Sequence, residues 1–269
     1  MKPFLKWAGG KTQLLPQLLA RVPEKYGTYH EPFLGGGALF FALSPRKAIL
    51  SDSNAELVST YVAVRDRCEE VIQYTRRFAE NHCRDPEHYY AVREAFNVAS
   101  AAYIGNPLDA ARFIYLNKTC FNGLWRVNRS GEFNVPAGRY KNPTICDEEN
   151  LRVCSAALRG AGLHVCGFDR APQPRAGDFW YADPPYAPIN QTSDFTSYTK
   201  EGFGLQEQRR LALLARSLRT TGVHVLLSNS FVPEIVSLYD GFSVQEIEAR
   251  RAINSKGSRR GAVSEALIS

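Results

Sequence analysis

The 269-residue chain carries only six cysteines, at positions 68, 83, 120, 146, 154 and 166, and no two are spaced C-x-x-C. That is too sparse for a disulfide scaffold of this size, so the thiols read as reduced, in a cytosolic protein. No apolar run approaches the length of a membrane span, and Met1-Lys2-Pro3-Phe4 does not open a signal peptide, so no membrane attachment is expected. His82, Cys83 and His88 are the one grouping with metal-ligand chemistry. They sit in a charged helical stretch and read as a solvated face, so no metal is expected. There is no internal repeat and no low-complexity tract. Hydrophobic residues make up 44% of the chain, enough for a well-buried core in one large domain, or in a core carrying an insertion.

Acid is scarce in one place. Between Arg112 and Asn142 there are six Lys/Arg (112, 118, 126, 129, 139, 141) against Glu132 alone, nearly the whole of the chain's net charge of +6. Arg and Asn alternate there with Phe121 and Trp125 around Gly123. That mixture supplies phosphate clamps, base-edge readers and rings able to enter a base stack, the needs of a DNA-reading segment. A second basic stretch, Arg250 to Arg260, sets its Lys and Arg among Ser and Gly and also suits phosphates.

The chemistry concentrates at Asp183-Pro184-Pro185-Tyr186. The preceding Phe179-Trp180-Tyr181-Ala182 reads as a buried strand that Pro-Pro must end, because proline has no N–H for the ladder. Asp183 therefore falls at a carboxyl edge of the sheet, where open α/β folds place ligands. A carboxylate, carbonyls without partner N–H groups and an aromatic ring suit a planar base bearing an amino group.

Two glycine-rich segments precede it. Gly10-Lys11-Thr12 has the end of a P-loop, but Leu5 stands where that motif needs its first glycine, which excludes it. Gly35-Gly36-Gly37 joins a short strand to an apolar helix, the order of a nucleotide-binding first βα turn. Phe40 replaces the third glycine of a dinucleotide fingerprint. Ala48 to Asp52 is a second strand, whose terminal acid can accept from ribose hydroxyls or cap the next helix. Further helices are expected over 14–19, 55–81, 86–98, 107–118 and 205–220. Further strands are expected over 163–169 and 223–229, with a closing pair at 243–248 and 263–268.

With these residues in place the chain resembles the DNA adenine methylase family, adenine-N6 methyltransferases that use S-adenosylmethionine. The resemblance rests on six pieces in matching order: Phe4 to Lys11; Glu31 to Gly37; Asp52; Asn122-Gly123-Leu124 with Arg126; Gly131 to Pro136 through Gly138-Arg139-Tyr140; and Asp183 to Tyr186. It implies an α/β fold, a doubly wound Rossmann-like methyltransferase sheet from 1–55 and 145–269. A mainly helical target-recognition domain is inserted at 56–144. By the same resemblance Asp183, Pro184 and Tyr186 are catalytic, and Trp7, Lys11, Gly35, Asp52, Phe168 and Asp183 hold the cofactor. Lys6, Leu124 and Arg126 would read bases, Asn128, Asn134 and Arg139 would contact the DNA backbone, and Phe121 with Asn122 would enter the helix. Phe121 stands where some members have Tyr, which keeps stacking and removes a hydroxyl. The implied partner is double-stranded DNA at GATC, without a metal, and the implied enzyme is a cytoplasmic, DNA-associated monomer. Two rival readings are an RNA or protein N-methyltransferase, disfavoured by Asp rather than Asn at 183, and a catalytically silent DNA-binding module.

Overall fold

A computed structural model describes residues 1–82, 85, 87–99, 104–186, 203–250 and 262–269. Its centre is a seven-stranded sheet. The strands are Tyr29–Glu31 (β1), Ala48–Asp52 (β2), Ala161–Val165 (β3), Phe179–Ala182 (β4), His224–Ser230 (β5), Val244–Arg250 (β6) and Ala262–Ile268 (β7). They lie in the order β3-β2-β1-β4-β5-β7-β6. The first five are parallel, and β7 runs antiparallel between β5 and β6. The expected doubly wound α/β sheet is thus present. Strand order reverses between β1 and β4, so a crevice opens at their carboxyl ends, where ligands of such sheets sit.

Period two explains how β4 serves both faces of the sheet. Phe179 and Tyr181 join an apolar cluster with Tyr29, Phe41 and Tyr61, while Trp180 and Ala182 join a second one with Leu211, Ala215 and Ile235. All four residues are buried, and each large ring contributes about 1.5–3 kcal/mol by leaving water. Helices cover both faces: Leu15–Leu19 (α1), Ala38–Leu43 (α2), Ala55–Asp66 (α3), Cys68–His82 (α4), His88–Val98 (α5), Pro107–Thr119 (α6), Glu148–Leu158 (α7), Leu205–Thr220 (α8) and Pro233–Val236 (α9).

Several boundaries differ from the sequence reading. The helical run expected over 55–81 breaks at Arg67, whose ψ of 40° closes α3 before α4 begins. Pro86, read as opening the next helix, lies outside the described residues; α5 starts at His88. The strand expected over 163–169 begins earlier, at Ala161, and ends at Val165, so Phe168 stands beyond the sheet edge. Asp52 does not cap α3: the Asn54 side chain accepts from Leu57 N–H at 2.8 Å. α7 follows Asp147, whose side chain accepts from Asn150 N–H, with Glu148 and Glu149 in its first turn. Beyond Arg250, which ends β6, the basic stretch to Arg260 lies outside the described residues.

The helical block is held together by side chains. His82 and His88 pack edge-on against Tyr115, and His82 Nδ1 lies 2.9 Å from the Tyr115 hydroxyl. No metal-holding group occurs among the described residues, and Cys83 is not one of them. Asn97 of α5 pairs with both backbone groups of Phe133, accepting from its N–H at 2.9 Å and donating to its carbonyl at 3.1 Å. This holds a ribbon, bridged at Val127–Phe133 and Cys120–Ala137, against the helices.

Candidate active site and nucleic-acid interface

The switch-point crevice gathers the residues singled out at β4. Asp183 follows β4 and accepts at Oδ1 from Lys11 Nζ at 2.8 Å and from the Ser228 hydroxyl at 3.0 Å. Burial pushes the Asp183 carboxyl above its ordinary value, against the pull of Lys11 and Ser228. Lys11 is itself 5% exposed; it also donates to the Gly9 carbonyl at 2.8 Å and lies 3.8 Å from Glu265. Its ammonium sits 5.0 Å from the centre of the Tyr186 ring. Pro184 is buried between them in sequence, and the Pro185 carbonyl accepts from Gln208 Nε2 at 3.1 Å. Gln208 is in turn held by Asn229, whose amide donates to it at 2.9 Å. Asp183, Lys11 and Tyr186 thus meet at one point, with the tetrapeptide pinned from behind by α8 and β5.

The glycine turn after β1 forms the neighbouring wall. Gly35 has φ +46°, and a Cβ there would lie 2.7 Å from the Trp7 ring, so only glycine fits beneath that indole. Asp52 at the end of β2 accepts from Gly35 N–H at 3.0 Å and from Asn54 N–H at 2.9 Å. These bonds use one lone pair on each oxygen and leave others for hydroxyl donors. Burial raises the Asp52 carboxyl, and the N–H groups of Asn54, Gly35 and Ser53 oppose that shift. Phe168 stacks on Phe33 at 5.5 Å and meets Phe203 at 5.9 Å, an apolar wall beyond the sheet edge. Trp7, Gly35 and Asp52 are therefore contiguous, and Phe168 lines the same edge through Phe33.

Glu31, which closes β1, was not among the expected site residues. It is 3% exposed and accepts from the Tyr29 hydroxyl at 2.9 Å. Burial, reinforced by the fields of Asp183 and Asp52, pushes its carboxyl up to about 8. Its burial could not be read from Tyr29-His30-Glu31, a short strand with two polar residues out of three. Ser228, Asn229 and Gln208 were also missed, because serine and amides at strand ends and on helices read as ordinary polar positions.

A second surface begins at Lys6. Its backbone N–H donates to Asn117 Oδ1 at 2.8 Å, and its carbonyl accepts from Asn117 Nδ2 at 2.7 Å. Asn117, fully buried on α6, thereby fastens the amino-terminal segment to the helical block. The Lys6 ammonium lies 4.2 Å over the Tyr140 ring. Gly123, with φ +63°, packs against the Lys6 stem, where a Cβ would lie 2.7 Å from Lys6 Cβ and Cδ. Phe121 and Asn122 are exposed on the same turn, Asn122 in the left-handed region at φ 55°, and Leu124 follows half-buried. Lys6, Phe121, Asn122 and Leu124 thus cluster.

Arg126 is exposed, and its Nε donates to Asn134 Oδ1 at 2.8 Å across the ribbon. Asn128 is occupied within the turn, accepting from Ser130 and Glu132 N–H groups and donating to the Glu132 carboxylate at 2.7 Å. Arg139 is exposed beside Tyr140. Trp125 does not join this surface. It is 5% exposed, 4.3 Å from Phe113 and 4.9 Å from Phe133, and stacks toward Trp7 at 6.5 Å. The reading of Trp125 as a base-stacking ring is therefore corrected: it is core that joins the crevice to the ribbon. Half-buried at the end of α6, Lys118 has its ammonium pushed down to about 8, by desolvation first and by the Lys6 and Lys2 cations second.

Residues 7–253 match the family model of the D12 class N6 adenine-specific DNA methyltransferases. The chain belongs to that family. Among its relatives, the type II methyltransferase M1.LlaDCHI of Lactococcus lactis subsp. cremoris is 42% identical over 273 residues, covering 100% of this chain and 95% of that protein. M.MjaIII of Methanocaldococcus jannaschii is 43% identical, covering 97% of this chain and 95% of that protein. The DNA adenine methylase of Escherichia coli K12 is 36% identical over 268 residues, covering 99% and 94%. The methyltransferase reading and the DNA substrate class hold, and the two rival readings fall away. No helix among the described residues of this methyltransferase is long and apolar enough to cross a membrane.

Proposed function

We propose that this D12-class methyltransferase takes its methyl group from S-adenosylmethionine and places it on N6 of an adenine flipped out of duplex DNA, within GATC. The observation that carries the reading is Asp183, a carboxylate held at the switch point beside proline carbonyls and the Tyr186 ring. The adenine N6 lone pair is delocalised into its ring, so the amino group is a poor nucleophile. The Asp183 carboxylate and Pro184 carbonyl would accept its two hydrogens, favouring a pyramidal nitrogen and offsetting the positive charge that develops there. Tyr186 would stack on the base. A paired, stacked N6 cannot reach these groups, so the target must leave the helix.

The residues around the glycine turn fit the cofactor. Gly35 lets the turn lie close under the Trp7 indole, Asp52 keeps lone pairs for ribose hydroxyls, and Phe168 belongs to an apolar wall at the same edge. Lys11 suits a carboxylate and Trp7 floors the turn. When bound, S-adenosylmethionine supplies a sulfonium methyl that is already activated. The chain's contribution is then orientation and exclusion of water.

DNA would lie across the Lys6–ribbon surface. Lys6 and Arg126 suit the two guanines of GATC, with Leu124 beside them. Phe121 and Asn122 would fill the gap left by the flipped base. Asn128, Asn134 and Arg139 would meet the backbone, Asn128 by shaping the turn. In this reading 56–144 is the target-recognition domain, 1–55 and 145–269 the catalytic one, and the enzyme works as a cytoplasmic monomer. The test is transfer from methyl-labelled S-adenosylmethionine to random-sequence duplex DNA, RNA and protein, with products located at single-base resolution. N6-methyladenine confined to GATC is expected. Label elsewhere than adenine N6, or at adenines without sequence preference, contradicts it.

A further inference from the structure

Tyr181 and Ser228 lie directly behind Asp183, and their arrangement bears on how that carboxylate is aimed. The inference rests on the reading of Asp183 as an acceptor for the adenine amino group. The two oxygens of Asp183 are not equivalent: among the described residues, its polar contacts all fall on Oδ1, from Lys11 Nζ at 2.8 Å and the Ser228 hydroxyl at 3.0 Å. The Ser228 oxygen also lies 2.9 Å from the Tyr181 hydroxyl. Tyr181 and Asp183 are two residues apart on one strand line and share a face. The β4–β5 register, with Ala182 opposite Leu227, brings Ser228 alongside Asp183.

The proton positions in this chain follow from valence. An ionised carboxylate only accepts, so Ser228 must spend its single proton on Asp183 and take the next one from Tyr181. Tyr181 can give it, because burial holds its phenol well above the ordinary range and keeps it protonated. Tyr181 is 1% exposed and Ser228 fully buried, so bulk water does not compete for the chain. Lys11 cannot impose the same selection. Its ammonium is a point charge on a flexible stem, shared with the Gly9 carbonyl and Glu265, and either Asp183 oxygen would serve it.

We propose that Tyr181 and Ser228 are positioning residues: they commit Oδ1 of Asp183 to the protein and leave Oδ2 to the substrate amino group. The same hydrogen bond favours the ionised carboxylate against the burial that opposes it. The charged and titratable groups around Asp183 are Lys11, Glu31 on β1, Tyr181 on β4, Tyr186, and Glu265 on β7. Replacing Ser228 leaves all of them in place.

The test is the single-turnover rate of N6 methylation on a duplex oligonucleotide with one target site, followed against pH. Ser228→Ala should lower the neutral-pH rate about tenfold, the scale of one hydrogen bond to a charged group. It should also move the acid limb of the profile to higher pH, because the ionised carboxylate loses a donor. Tyr181→Phe, which keeps the ring volume, should shift the limb in the same direction by less, and it carries the test if Ser228→Ala does not fold. Ser228→Thr, which keeps the hydroxyl, should return the limb toward its original position. A slower rate with an unmoved limb in folded Ser228→Ala and Tyr181→Phe overturns the inference, since a purely structural role acts that way. A wild-type protein that leaves adenine N6 unmethylated overturns the functional reading instead, and the inference with it.

Discussion

Glu31 is a carboxylic acid inside the core, closed off by Tyr29 and lying in the field of Asp183. Its pKa rises from 4.5 to about 8, so the folded protein keeps a proton that the unfolded chain releases. The stability this contributes is fully present below 4.5 and is lost as pH rises through about 8. Glu31→Gln cannot release the proton, so its stability relative to wild type should improve steadily from about pH 5 to about pH 8 in urea melts. Lys118, lowered to about 8, acts in the opposite direction above that pH, but in both proteins alike, so it cancels from the difference. A pH-independent difference would mean that Glu31 is ionised at neutral pH in the fold. Asp183 was legible in the sequence because Pro-Pro forces a strand to end there. Glu31 and Ser228 were not, since their importance comes from what burial and a neighbouring strand do to them.

In the proposed function, sequence reading depends on the ribbon 120–137. Arg126 is held by Asn134 rather than left free, so its guanidinium is presented from a fixed strand pair. Arg126→Ala should cost about 1–3 kcal/mol of discrimination at one guanine, with large losses on GATC and small ones on sites altered at that pair. Asn134→Ala should erode the same discrimination without removing the reader. Equal slowing on every sequence would make Arg126 a phosphate clamp. The sequence showed the ribbon's basic and aromatic content, but it could not separate Phe121 from Trp125. Both are rings among Arg and Asn, and only the packing of Phe113 and Phe133 decides that one is core. The break at Arg67 was likewise hidden, because the apolar period continues across it.

For the whole molecule, the sheet order puts the crevice and the basic surface on adjoining sides, linked by Trp7–Trp125 stacking and by Asn117 on Lys6. The doubly wound plan was legible because β1 and β2 are each followed by a helix, and β4 and the first half of β5 are short, mostly apolar runs. The edge strand β3 was placed two residues late, since Ala161-Gly162 gives little strand signal. With the positive excess concentrated near the ribbon, DNA affinity should fall steeply with salt, by about 0.9 log units per log unit for each neutralised phosphate. Arg139→Ala should weaken all sequences alike and flatten that slope by about one phosphate's worth; an unchanged slope would remove Arg139 from the interface. The central claim, however, is that Asp183 acts on the adenine amino group. Its most direct test is single-turnover methylation of a GATC duplex by wild type and Asp183→Ala, with DNA binding and thermal melting measured in parallel. A loss of about 10²–10³ in rate, with fold and DNA binding kept, is the predicted result. A folded Asp183→Ala protein that retains more than about a tenth of the wild-type rate, far above that expectation, would contradict it.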